Sequence, residues 1–485
     1  MRTGSRRSGA RGQESGGRDQ GSGTGTRLAR MLGLAMFLMA LRAWGAAAES
    51  AGAVGSTITV GDEVVLMSDD RPGKAKRGRP AVAFGKDMFL VAWQEGWHGD
   101  GGDSRIHAVR VGLDGKILDP RGVEIAPCKT GVQENPRVAF FADAFLVVWQ
   151  DMRGGKDCDV LGARVSPEGK VLDEKPISIA AGPRTQAMPD VAADDKSFMV
   201  VWHSFQGEET IPTVFAARVG ADGAAGEPAA VTEGSAPRIA LSGKDHLVTC
   251  FDARRSGDRL ATYLKYVGVD ADGKELFRST YRENVNYSYS RRISVCGVPG
   301  KGWVLVCSRA LPDFWGWSGP GAQRAYRITP EGKRAADSPS EQYYDPKRKL
   351  HVIPANWLDT SMGHETHRAA GPAGIPEIWP WGESALAADG PCCVAVWQRY
   401  HTGGSTGIDM VNGDVQAGRV DGWKPLDGQG GVAVAASAAN ELNPALAGNN
   451  AGTLLCVYEK SLNDGTKQIC ARTMEPTLAR LPGEE

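Results

Sequence analysis

Between Asn135 and Ala180 the chain reads NPRVAFFADAFLVVWQDMRGGKDCDVLGARVSPEGKVLDEKPISIA, and its apolar positions come in short bursts. Runs of β-branched and aromatic residues at 137–141, 145–150, 161–166 and 171–180 alternate with polar, turn-forming stretches. This pattern predicts four short strands joined by three turns. Pro167-Glu168-Gly169-Lys170 divides the last two runs, and its glycine supplies the positive φ that a tight hairpin between right-twisted strands requires. A four-stranded antiparallel meander cannot bury both of its faces alone, so copies of it must stack to make a core.

Copies are present. Units open near Pro80, Pro136, Pro189, Pro237, Arg291, Glu383 and Asn443. The second-strand aromatic place is read as Trp93, Trp149, Trp202, Phe251, Cys307, Trp397 and Tyr458, at blade-sized intervals except for one long gap after Cys307. A third-strand arginine recurs at Arg110, Arg164, Arg218, Arg327, Arg419 and Arg472, with Gly268 in its place in unit four. A glycine-bearing turn follows it, around Gly115, Gly169, Gly223, Gly273, Gly332 and Gly422. Unit seven stops after three strands, while a lone strand, Thr57 to Met67, precedes unit one. Pairing the two closes the ring and removes an open sheet edge. The expected fold is therefore all-β: a seven-bladed β-propeller of four-stranded antiparallel blades over residues 49–485, its last blade closed by the N-terminal strand. The long gap is an insertion at about 337–382.

The repeat resembles the VVWxDxRxG…GARV type of β-propeller repeat found in exported bacterial proteins, over roughly residues 57 to 475 and most closely in units one to three. The resemblance implies the fold and little chemistry, because propellers host many unrelated functions. The Asp-box of sialidase-like propellers and the GH…WD spacing of WD40 blades are absent.

The first 48 residues do not follow the repeat. A basic, Gly- and Ser-rich stretch leads to the apolar run Met31 to Leu41, followed by Ala46-Ala47-Ala48. This is the layout of a secretory signal peptide cleaved near Ala48, and the run is too short to remain as a comfortable membrane span. The mature chain is expected to be secreted, periplasmic or at the cell surface, with no stable membrane span, and monomeric. A net charge of -1 and a pI near 6.7 offer no bulk attraction to nucleic acid. Nine cysteines leave at least one unpaired within the chain. Cys456 and Cys470, on strands expected to be neighbours, are the disulfide candidate.

Candidate chemistry collects on one face. In a propeller whose innermost strand comes first, the second-to-third loops and the connections between blades share a face, and here these are the long, varied loops. The loop residues Trp97, His98, His203, Trp315, Trp317, Trp357, His364, His367, Tyr400 and His401 supply aromatic and imidazole groups able to bind a ligand there. His364-Glu365-Thr366-His367 is not the HExxH zinc motif, and neither a metal site nor a cofactor is expected. Glu95, Asp151, Asp252, Asp313 and Glu459 end second strands on this face, but that position is generic to the repeat and singles out no catalytic pair. No GxSxG elbow is visible. The expected function is binding of a ligand, carbohydrate or protein, through the loop-rich face, without identified catalysis. The alternative is a glycoside hydrolase or lyase using carboxylates or histidine on the same face.

Overall fold

The computed structural model describes residues 58–67, 76–96, 103–127, 131–153, 157–205, 212–256, 259–283, 293–309, 322–335, 343–345, 350–352, 384–390, 392–403, 409–421, 424–427 and 431–476. They form seven antiparallel blades and no helix. Blade one comprises Arg77–Gly85, Met88–Glu95, Arg105–Gly112 and Val123–Glu124, hydrogen-bonded in that order. Blades two, three and four repeat the arrangement from Gln133–Phe141, Thr185–Ala193 and Ser235–Ser242. Blade five shows three strands among the described residues, from Ile293–Val298 to Ala322–Ile328. Blade six begins at Ser384–Asp389, and within the insertion Tyr343–Asp345 pairs with Leu350–Val352.

Blade seven contains Asn440–Gly448, Leu454–Ser461 and Lys467–Pro476, and the outer edge of the last is covered by Ile58–Val60 and Val64–Val65. Val60 lies opposite Met474 and Val65 opposite Cys470, so the N-terminal strand closes the ring as expected. Glu63, at the break between the two short strands, accepts hydrogen bonds from Tyr458 Oη at 2.5 Å and Lys460 Nζ at 2.7 Å. Arg472 Nη1 adds a bond to the Gly61 carbonyl at 2.8 Å.

The first strand of every blade packs against those of both neighbours, which makes it the innermost. Alternation along each strand turns one set of apolar side chains to the preceding blade and the other to the following one. Seven buried clusters result, each drawn from two adjacent blades. Trp93, Trp149 and Trp397 are wholly buried and point back to the preceding blade.

In blades one and two the recurring arginine has an inter-blade purpose. Arg164 forms a forked pair with Asp173, with Nη2 to Oδ1 at 2.7 Å, while its Nη1 reaches the Ala221 carbonyl in the turn of the next blade. Arg110 does the same with Asp119 and Pro167, and Arg419 forks onto Asp427. The turn glycine is the floor for this arm. Gly169 needs its φ of +84°, and a Cβ there would come within 2.8 Å of Arg110 Nε. In blade four, which lacks the arginine, Tyr266 Oη instead reaches the Gly332 carbonyl at 3.2 Å.

Two repeat positions shift by one residue. In blade four Cys250 faces blade three from the tryptophan place, and Phe251 turns toward blade five. In blade seven Thr473 takes the arginine place opposite Leu455, while Arg472 points back to Tyr458.

Cys456 and Cys470 are free thiols rather than a disulfide. The register sets Cys456 opposite Arg472 and Cys470 opposite Tyr458, so the two sulfurs are diagonal neighbours beyond disulfide reach.

Candidate functional site

Five blades begin their innermost strand with the same local device. Arg79, Asn135, Met188, Ala236 and Asn443, each immediately before a proline, have φ between 50° and 55°. A left-handed conformation is strained for a residue with a side chain, and strain of this kind persists only where surrounding bonds hold it. Here each strand also slips register, for example between Glu134 and Arg137 and between Leu442 and Ala445. The bulge takes the residue before proline out of the ladder at the start of the innermost strand.

What holds four of these residues is the side chain that follows the tryptophan place in the preceding blade. Gln150 Oε1 accepts the Met188 amide at 3.2 Å, Gln398 Oε1 the Asn443 amide at 3.3 Å and Glu459 Oε1 the Arg79 amide at 2.6 Å. His203 belongs to this set: its Nδ1 accepts the Ala236 amide at 3.2 Å. Its ring stacks on Phe205 with centroids 5.8 Å apart, and burial pushes its pKa down to about 4. His203 is thus a neutral clamp between blades three and four rather than an open ligand group.

At blades seven, one and two the device becomes a linked polar arc. Asn443 Nδ2 donates to Glu459 Oε1 at 2.7 Å, the same oxygen holds the Arg79 amide, and the Arg79 guanidinium donates to Asn135 Oδ1. Asn135 Nδ2 lies 3.6 Å from Met188 Sδ, carrying the arc to blade three. Gly78 permits the close approach of Glu459, because a Cβ there would sit 3.0 Å from Oε1. Arg79, Met188 and Asn443 are half-buried, so the arc is partly open to solvent.

Further buried polar groups sit beside these strand starts. Arg77, 2% exposed, bonds Glu95 and the Met67 carbonyl, and Gln133 ties the Ile106 amide to the Ala126 carbonyl. Glu441 accepts from Ser437 Oγ, yet burial raises its carboxyl above the usual range. His107 stacks on Trp93; burial lowers its pKa although Glu95, 4.0 Å away, opposes this.

The carboxylates at second-strand ends are engaged. Asp151 takes bonds from Trp149 Nε1 at 2.9 Å and the Arg153 guanidinium at 2.8 Å; Asp252 pairs with Lys265 at 2.7 Å, and Glu95 with Arg77 at 3.3 Å. Asp313 lies outside the described residues. Among the described residues no group of three or more His, Cys, Asp or Glu is placed to hold a metal ion.

Trp97, His98, Trp315, Trp317, Trp357, His364 and His367 lie outside the described residues. Tyr400 and His401 fall on a strand, Cys392–Gly403, rather than in a loop; their side chains lie outside the description. That strand pairs with Asp409–Asp421 as far as Gly403 opposite Asp409, and in blade four pairing runs to Ser256 opposite Arg259. Among the described residues, the pairing of blades four and six therefore runs farther along this hairpin than that of blades one to three. Sequence reasoning passed over Arg79, Asn135 and Asn443, whose signal is the polar residue before proline in GRP, ENP and LNP.

No protein-family model matches the chain, and no curated protein matches it. Among solved structures it is similar to a protein of unknown function from Dyadobacter fermentans, at 12% identity and a TM-score of 0.45 over 87% of this chain and 100% of that one. It is also similar to the parainfluenza virus 5 hemagglutinin-neuraminidase ectodomain, at 8% identity and a TM-score of 0.45 over 94% and 96%. A Trypanosoma rangeli sialidase mutant with trans-sialidase activity matches at 9% identity and a TM-score of 0.44, over 86% of this chain and 60% of that one. At these values none of them passes an activity to this chain.

Proposed function

We propose that this protein is an exported binding propeller that takes a carbohydrate ligand at the axial opening of its loop-rich face. The observation that carries the reading is the linked arc of Asn443, Glu459, Arg79 and Asn135, mounted on left-handed residues at the starts of three innermost strands. Donors and acceptors alternate along the arc, which suits the paired donor and acceptor character of sugar hydroxyls. The local charges of Arg79 and Glu459 offset one another, as a neutral ligand requires. Aromatic groups on the surrounding loops would add stacking faces. Because Glu459, Asp151, Asp252 and Glu95 are each committed to bonds within the protein, no catalytic step is assigned to them.

Screening the mature chain on an array of neutral and acidic glycans tests the reading. Binding is expected, weakened at least tenfold in Arg79→Gln and Asn443→Ala with the melting temperature of each variant within a few degrees of the parent. An array without hits sinks carbohydrate as the ligand, and undiminished binding by both variants removes the axial arc as its site. Turnover of a bound glycan, lost in Glu459→Gln, would instead establish the hydrolase alternative.

A further inference from the structure

We propose that Cys296 and Cys393 form a disulfide that staples blade five to blade six. Cys296 lies on the innermost strand of blade five and Cys393 on the second strand of blade six, 97 residues apart in the chain. Their sulfurs are 2.8 Å apart, and both residues are buried in the apolar layer between the two blades with Val298, Val306, Leu386 and Trp397. That separation is well inside the ~3.5–4.0 Å of an ordinary contact between non-bonded heavy atoms. It is within a small side-chain adjustment of the ~2.0 Å of a sulfur–sulfur bond. Cys296 and Cys393 are unbonded thiols in the structure, as are Cys158, Cys250, Cys456 and Cys470, but the sulfurs of Cys296 and Cys393 are in contact.

The position is where a staple matters. Blade five has three strands among the described residues, and the long insertion separates it in sequence from blade six. Here the ring must be joined across the widest break in the chain, and cross-linking residues so far apart removes substantial entropy from the unfolded ensemble. Cys392 precedes Cys393 on the same strand, and alternation turns its side chain to the opposite face, away from Cys296.

The bond forms by exchange with a disulfide reagent, either an oxidised thiol–disulfide oxidoreductase or oxidised glutathione. The Cys296 thiolate attacks one sulfur of the reagent and releases the other as a thiol, the proton from Cys296 ending on that leaving group. Cys393 then attacks the Cys296 sulfur of the mixed disulfide, and the second reagent sulfur leaves as a thiol with the Cys393 proton. Two protein thiols are oxidised and one reagent disulfide is reduced. Burial and the neighbouring sulfur hold the Cys393 thiol well above its ordinary pKa, so exchange belongs to folding, before blades five and six close. The inference leans on the export reading only for its cellular oxidant.

The test is thiol mapping of the full chain, prepared in two ways: exported into an oxidising compartment, and refolded from the reduced state in oxidised glutathione. Each sample is denatured, alkylated with N-ethylmaleimide, digested and analysed by mass spectrometry. A peptide linking Cys296 to Cys393 is expected in both, retained in Cys392→Ser and lost in Cys393→Ser, with a melting midpoint on the order of 5 °C higher than after reduction. A link found only after refolding in glutathione upholds the staple and sinks the export reading. Alkylation of both cysteines in both preparations, or a link from Cys296 to Cys392, overturns the proposal.

Discussion

The amide of Ala236 donates to His203 Nδ1 at 3.2 Å, in the position where Gln150 holds the amide of Met188. The first strands of blades one, three, four and seven are thus fastened by the preceding blade's second strand, and a histidine that suggests a ligand site by its chemistry serves as one of these fasteners.

Replacing His203 by glutamine should therefore preserve stability, since Gln150 and Gln398 perform the same role in other blades. His203→Leu should leave the Ala236 amide without its acceptor and cost about 1–3 kcal/mol. Urea denaturation of the two variants checks this. Equal destabilisation by both would show that the imidazole acts in some way other than by accepting this bond.

A pH dependence follows from His203 and from His246, whose buried ring nitrogens lack hydrogen-bond partners and whose pKa burial also lowers to about 4. Both pKa values are below the unfolded value near 6.5, so the unfolded chain binds more protons between the two. Their stabilising contribution is full above pH 6.5 and is lost as the pH falls from 6.5 toward 4. Each histidine should remove about 2 kcal/mol between pH 7.5 and 5. Unfolding free energies of the parent and His203→Gln at the two pH values measure the difference; parallel losses in the two proteins would contradict the assignment for His203.

Ring closure hangs on Glu63. Burial raises its carboxyl pKa, but hydrogen bonds from Lys460 and Tyr458 outweigh burial and leave it below the ordinary value. Glu63→Gln should cost about 2 kcal/mol by weakening two bonds to a charged acceptor. Removing residues 56–67 should expose the edge of Lys467–Pro476 and drive association between chains. Light scattering reads the second effect, and a truncated chain that stays monomeric and melts like the parent would refute the closure energetics.

Trp149 is wholly buried and donates to Asp151, which also binds Arg153. Trp149→Ala should cost about 3–5 kcal/mol, whereas Trp149→Phe keeps much of the volume and should cost markedly less. Guanidinium unfolding of both variants distinguishes loss of packing from loss of the indole bond.

The amino-acid sequence by itself determined the architecture. Period-two runs, turn glycines and a recurring tryptophan are local signals, and their repetition counted seven blades and exposed the spare N-terminal strand that closes the ring. The sequence also marked which residues recur, such as Arg164 and Gly169, without showing that one lies over its counterpart in the next blade. Only the tertiary structure decided which side chains meet. The polar residues before Pro80, Pro136 and Pro444 are scattered in sequence, and only closing the ring brings Arg79, Asn135, Glu459 and Asn443 into one arc. Cysteine pairing followed the same rule. Cys456 and Cys470 are near in sequence but diagonal in register, whereas Cys296 and Cys393 are far apart in sequence and in contact. Strand periodicity is written into each segment, while proximity across blades depends on register and on the packing of one sheet against the next.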